Sequence, residues 1–365
     1  MQARSLAAPT TQSTNPSPRL SRGPVFSQRR NLALQNRSCE GDWEQDSVEV
    51  ARLSRQSYEQ QVGSVDGTSA TSASRRRARW VCLGAYVACL SVFFLCLRLV
   101  PLTWLEDDFA RVVAADVAAT VLIFMFSVKF QNSSFYDAYW SVLPITIVGY
   151  WFWKHALHTA GWLRGALLLA LVTLWGLRLT FNWLRHWRGL EHEDWRYVDL
   201  KAKTGRFYPL VNFFGIHLFP TAIVLAALYP AYVAMKSTAP MGWLDAVAAA
   251  VTLGAIAIET VADRQLHDYV ASNPDPESFL ATGLWAWSRH PNYFGETSFW
   301  WGLALFGVAA SNPFAVWLLG GATAMTAMFF GISIPMIDAR MQARRPTYAE
   351  HMKRVSRLIP LPPRR

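Results

Sequence analysis

Long stretches of apolar sequence limit what this chain can fold into more than any other feature. Runs of about 20 apolar residues, the length that crosses a bilayer, recur along its second, third and fourth hundreds of residues. A soluble domain can reach the 52% hydrophobic composition seen here, but not with those residues gathered into such runs. Candidate spans fall at about 80–100, 112–128, 141–157, 162–181, 211–234, 242–262, 298–310 and 313–336. The third and seventh are short. Backbone polar groups in hydrocarbon must be satisfied internally, so the expected fold is all-α. It is a polytopic membrane helix bundle of about 7–8 spans, occupying residues 80–363.

Residues 1–79 are rich in Ser, Thr, Arg and Gln and present no hydrophobic face, so a disordered N-terminal tail is expected. No apolar segment follows Met1, which argues against a cleaved secretory signal. The first acidic residue is Glu40, after Arg4, Arg19, Arg22, Arg29, Arg30 and Arg37. That pattern fits an organelle transit peptide, and ordinary disorder fits it as well.

Charge sets the expected orientation. Arg75, Arg76, Arg77 and Arg79 precede the first span and put the N-terminus in the cytosol, while Glu106, Asp107 and Asp108 in the next loop lie outside. Counting on, residues 182–210, 263–297 and the Arg-rich tail are cytosolic. The endoplasmic reticulum is the expected membrane, with an organelle membrane as the alternative. The net charge of +10 thus reports topology. Nucleic acid is not an expected partner, because the aromatic residues lie inside the spans rather than among the basic ones.

Three polar segments share the cytosolic face. On the helix from Trp175, Arg178, Asn182 and Arg185 recur at helical spacing, and the segment runs on to Arg196 and Tyr197. Glu259 and Asp263, four apart, are like charges on one face that need a cation, a proton or a ligand hydroxyl; Arg264 or another loop Arg is the bland partner. The densest segment is Ser288-Arg289-His290-Pro291-Asn292-Tyr293-Phe294-Gly295-Glu296, set between two apolar runs. A plain interfacial belt explains its Arg, His and Tyr, but not Asn292 and Glu296 flanking a Gly. Together the three offer guanidinium groups for phosphates, carboxylates and amides for ribose hydroxyls, and aromatic faces for a ring. Neither GxGxxG nor GxxxxGK[ST] is present. No metal site is expected: His155 and His158 lie away from these motifs without an evident carboxylate, and Cys82, Cys89 and Cys96 share one face of one helix.

The strings GLWAWSRHPNYFGETSFWWG, WGLRLTFNWLRHWRGLEHEDWRY, NFFGIHLFPT, IETVADRQL and IPMIDARMQARRPTYAEHMKRVSRLIPLPP occur in an order that resembles the DUF1295 branch of the steroid 5-alpha-reductase-like membrane enzymes. The resemblance covers about residues 100–363. It implies NADPH-dependent reduction of a carbon–carbon double bond conjugated to a carbonyl. It implies that Asp263, Asn292 and Glu296 bind the cofactor, with Arg178, Asn182, Arg196, Tyr197, Glu259, Arg289, Arg340 and Tyr348 as further cofactor-binding candidates. Tyr136 and Asp137 are candidates for the substrate-polarising pair, and His290 and Tyr293 complete the catalytic candidates. Steroid-reducing members carry a Tyr-Arg pair upstream of the matching Asn; here that stretch reads Asn273-Pro274-Asp275-Pro276-Glu277-Ser278. The expected substrate is therefore a lipophilic enone, sterol-like, polyprenyl or fatty-acyl. The rival readings are a methyltransferase of the isoprenylcysteine type using S-adenosylmethionine, and a catalytically inactive lipid-binding or scaffold protein. The oligomeric state is left open.

Overall fold

The computed structural model describes residues 72–99, 107–311 and 315–364. The expected disordered tail lies outside these residues as far as residue 71, as does Glu106 of the first loop. Eleven α-helices follow in order among the described residues: α1 (Ser72–Leu99), α2 (Asp108–Phe130), α3 (Tyr136–Trp151), α4 (Trp162–His186), α5 (Trp195–Thr204), α6 (Phe219–Lys236), α7 (Trp243–Ala271), α8 (Pro291–Ala310), α9 (Gly320–Met328), α10 (Ile334–Arg344) and α11 (Tyr348–Arg354). One further single turn, Tyr208–Leu210, leads into a π-helical stretch, Val211–Leu218, that runs on into α6. The all-α bundle expected from the sequence is the fold observed, with no strand among the described residues.

Six helical stretches are long and apolar enough to cross a membrane: Arg75–Leu99, Asp108–Phe130, Trp162–His186, Trp195–Lys236, Trp243–Ala271 and Val316–Arg344. The remaining two expected spans, the short ones, are α3 with its π-helical extension Phe152–Ala156, and α8. Both begin on polar residues, Tyr136-Asp137 in one and Asn292 to Glu296 in the other, which lower their apolar character. Both also sit inside the bundle. Tyr139, Leu143, Ile147 and Trp151 of α3 and Phe299, Trp300, Leu303 and Phe306 of α8 are buried. Leu83, Val87 and Phe94 of α1 and Leu174, Leu177 and Phe181 of α4 are exposed instead, as lipid-facing residues are.

Local sequence explains the helix ends. Asp107 caps α2, its side chain accepting from the Phe109 N–H, and Gln131 ends it in the left-handed region at φ 51°. Pro291 opens α8 at the position where a missing N–H costs nothing. Small residues set the closest helix contacts. A Cβ on Gly295 would lie 2.7 Å from Glu259 Cβ and 2.9 Å from the Ala255 carbonyl oxygen, so α8 rests directly on α7. Gly302 approaches Thr252 in the same way one stripe further along.

The two ends of the bundle differ in chemistry. At one end, Arg164 is buried and forks onto Asp245 at 2.7 and 2.9 Å while donating to the carbonyls of Ala239 and Pro240. There too Asp108 accepts from Tyr150 at 2.9 Å, pairs with Lys154, and contacts His155 at 2.9 Å. His155 therefore does have a carboxylate beside it, contrary to expectation, because α2 and α3 bring together residues nearly fifty positions apart. These groups tie helix ends to one another and close that end. The other end holds a cavity.

Candidate functional site

A cavity of about 610 Å³ opens at the end of the bundle where α4 and α7 finish and α3 and α8 begin. Its size lies within the ~300–1,000 Å³ typical of small-molecule sites. Among its lining residues are Tyr136, Asp137, Asn182, Arg196, Tyr197, Glu259, Asp263, Asn292, Tyr293 and Glu296. Ten sequence-predicted residues, from five separate stretches of chain, thus reach one space.

Below the cavity, α4, α7 and α8 interlock through charge. The Arg178 guanidinium sits between the two like charges of α7, paired with Glu259 and donating to Asp263 Oδ2 at 2.8 Å. Arg264, the bland partner, instead pairs with Asp268 on its own helix. Asn182, one turn on from Arg178, donates to the same Asp263 oxygen at 3.1 Å. Glu296 is held by two indoles: Trp175 N–H donates to Oε2 at 2.9 Å and Trp300 N–H to Oε1 at 2.7 Å. Trp175 is fixed in turn by stacking on Phe299, with ring centroids 4.5 Å apart. Glu259 Oε2 is buried with no hydrogen-bond partner, while its other oxygen pairs with the Arg178 guanidinium.

The opposite wall brings the first half of the chain to the site. Tyr197 donates to Asp137 Oδ1 at 2.6 Å, and Arg196 lies 3.7 Å from the same oxygen while donating to Asp194 at 2.8 Å. Burial pushes Asp194 up, but the Arg196 guanidinium outweighs it and holds the carboxyl below its ordinary range. Burial, reinforced by Arg188, lowers His192. Arg340 stacks on Trp195, its guanidinium 4.0 Å from the ring centroid, at the edge of this wall. An apolar part of the lining, Met325, Met328, Phe329 and Ile332, completes the cavity.

Arg289, His290 and Tyr348 are placed elsewhere. They converge on Asp338, with Arg289 Nη1 at 2.9 Å, His290 Nε2 at 3.0 Å and the Tyr348 hydroxyl donating at 3.3 Å. Beside them the Arg289 N–H donates to the Ser356 carbonyl and the Ser288 hydroxyl to that of Leu358. None of the three lines the cavity; they fasten the C-terminal segment across its end. Tyr293, next in line, does reach the cavity, packed against His290 and Phe329.

Sequence reasoning missed a buried hydroxyl chain behind Tyr136. The Tyr136 and Thr221 hydroxyls are 2.8 Å apart, Thr221 is 3.2 Å from Thr120, and Thr120 is 3.3 Å from Tyr139. Tyr139 donates to Asp116 at 3.2 Å, and Thr120 donates to it at 3.4 Å. Asp116 is an acid in mid-helix among hydroxyl partners, a setting that marks function by default in a membrane segment. Its only signal in the sequence is a lone Asp within an apolar run.

A family model described as "Protein of unknown function (DUF1295)" matches residues 123–355, from the middle of α2 to the end of α11. The chain is also 28% identical over 258 residues to the uncharacterized protein C594.04c of Schizosaccharomyces pombe, an alignment covering 64% of this chain and 74% of that one. No solved structure matches the chain.

Proposed function

The chain belongs to the DUF1295 family, and from that premise we propose that it is a membrane oxidoreductase that uses NADPH. On this reading it reduces a carbon–carbon double bond conjugated to a carbonyl in a lipophilic substrate. The cavity end would face the cytosol, with the endoplasmic reticulum as the membrane proposed. One observation carries the reading: Asp263, Asn292 and Glu296 meet Tyr136, Asp137 and Tyr197 around a single space with one polar and one apolar wall.

The residues present suit a dinucleotide. Asp263 and Asn292 offer hydrogen bonds to ribose hydroxyls or a carboxamide. Arg196, whose side chain keeps 36% exposure, and Arg340 at the rim offer positive charge to phosphates. NADPH, when bound, would supply the hydride that adds to the β carbon. The chain's own work is positioning and charge. A substrate carbonyl directed at the Tyr136 hydroxyl would be polarised there, with negative charge developing on oxygen as the hydride adds. The hydroxyl chain through Thr221, Thr120 and Tyr139 to Asp116 would give Tyr136 a route to replace a proton it yields. The apolar wall of Met325, Met328 and Phe329 would exclude water from the reacting carbons.

The test is a thermal-shift comparison on detergent-solubilised protein with NADPH, NADH and S-adenosylmethionine, since a ligand that binds only the folded state raises its Tm. Stabilisation by NADPH, followed by its oxidation on adding an enone lipid, is the expected result. Stabilisation by S-adenosylmethionine alone would move the assignment to a methyltransferase. No response to any of the three would favour a non-catalytic lipid-binding role.

A further inference from the structure

A second cavity lies against the first, and its shape specifies a kind of substrate. It is a groove of about 400 Å³ between α2, α6 and the segment that starts α9. Phe109, Val113 and Val117 form one wall at four-residue spacing along α2. Ala222 and Ala226 give it room along α6, and Tyr229 with Trp317 makes its far lip. The third wall is fixed in place, since a Cβ on Gly321 would lie 2.2 Å from the Ala226 carbonyl oxygen.

Among the described residues, its only non-aromatic polar lining residue is Thr221. The Thr221 hydroxyl is 2.8 Å from that of Tyr136, which lines the main cavity. One hydrogen bond therefore separates the apolar groove from the polar site, and the buried chain to Asp116 starts at that point.

The groove's proportions decide between ligand classes. Its lining on α6 runs from Leu218 to Tyr229, which at 1.5 Å per helical residue is about 16 Å. Dividing the volume by that length leaves a mean section of roughly 25 Å². A trough this long and apolar suits one extended hydrocarbon chain lying along α6. The groove is lined from two stretches long and apolar enough to cross a membrane, Asp108–Phe130 and Trp195–Lys236.

We propose that this groove binds the single flexible hydrocarbon chain of the substrate, placing a fatty-acyl or similar linear lipid with its reactive end at Thr221 and Tyr136 and its tail towards Trp317. The groove's occupant is inferred from its shape and chemistry; what happens at the reactive end rests on the reductase reading.

Full-length protein in phosphatidylcholine nanodiscs would be labelled with a diazirine-bearing sixteen-carbon fatty acid and the adducts mapped by mass spectrometry. Labelling concentrated on the peptides holding Val113 to Val117 and Leu218 to Tyr229, and displaced by unlabelled fatty acid, is expected. Ala222→Trp, at a residue that lines the groove and not the main cavity, should weaken it about tenfold. Val117→Phe is the second plug, should the first fold poorly. Labels spread evenly over the lipid-facing helices, labelling that excess fatty acid fails to displace, or an unchanged signal in both folded variants would overturn the proposal. So would a sterol photoprobe that outcompetes the fatty acid at these peptides. The readout needs no cofactor: displaceable labelling in a protein that NADPH fails to stabilise would leave the groove assigned and remove the reductase reading.

Discussion

Asn292 and Glu296 stand one helical turn apart, yet their surroundings give them different work. Asn292 is half-buried and lines the cavity, whereas Glu296 is buried with both oxygens engaged by indole N–H groups. Removing the Glu296 carboxylate strands two buried donors, at about 1–3 kcal/mol each. Glu296→Ala should therefore lower the Tm in detergent markedly. Asn292→Ala should leave the Tm close to that of the parent and abolish the NADPH shift. Equal loss of Tm in both variants would mean that Asn292 is a packing residue and not a ligand. The carboxylates and amides were legible in the sequence because they cluster within short motifs. Asp116, Thr120, Tyr139 and Thr221 were not, because each stands alone in an apolar helix and meets partners up to about a hundred residues away only after packing. The Arg289–His290 pair was legible as chemistry and not as location: sequence distance from Asn292 is small, but the turn before Pro291 directs them to Asp338 instead of the cavity.

Helix contacts make predictions of their own. Gly295 leaves no room for a methyl group beside Glu259 and the Ala255 carbonyl, and backbone cannot step aside as a side-chain tip can. Gly295→Ala should cost about 1–3 kcal/mol by overpacking, with the cavity floor displaced. Gly254, on the same helix as Glu259, has nothing near its missing Cβ, so Gly254→Ala should be neutral or stabilise by up to about 1 kcal/mol through helix propensity. Paired Tm measurements on the two variants check the contrast, and similar values would contradict the close α7–α8 approach. At the far end, Arg164→Met would leave Asp245 buried without its partner, a loss of about 3–5 kcal/mol. Such a protein, if kept below its lowered Tm, should still respond to NADPH, because Arg164 lies at the end of the bundle away from the cavity. The apolar runs located the spanning helices but not their ends: α1 starts at Ser72, α7 runs on to Ala271 and α8 starts at Pro291, beyond the expected spans 80–100, 242–262 and 298–310. The amphipathic α5 was not read, since it has no apolar run, and Val211–Leu218, inside the expected 211–234 span, was not marked as π-helical.

The cavity end as a whole should respond to pH. Burial lowers His192, with Arg188 adding to the effect, and burial and then Arg289 lower His351 on α11. Both therefore favour the neutral ring when folded, and the unfolded chain binds more protons below its ordinary histidine value of about 6.5. These two histidines therefore add stability as pH rises through this region and lose it on acidification from about pH 7 towards 5.5. Asp194, held low by Arg196, contributes fully above about pH 4 and does not alter that window. A Tm series over this range should show the decline, and a His192→Asn, His351→Gln double variant should flatten it. A flat profile in the parent protein would contradict the assignment.

The two innermost helices carry a consequence for biogenesis. Stretches such as α3 and α8, too polar at their entry to count among the six apolar spans, gain little from leaving the translocon for lipid alone. They would partition into the bilayer only alongside neighbours that shield them, so assembly of the ligand chamber would be coupled to insertion itself. A reporter fusion carrying α8 by itself should largely fail to integrate, and appending α7 should rescue it.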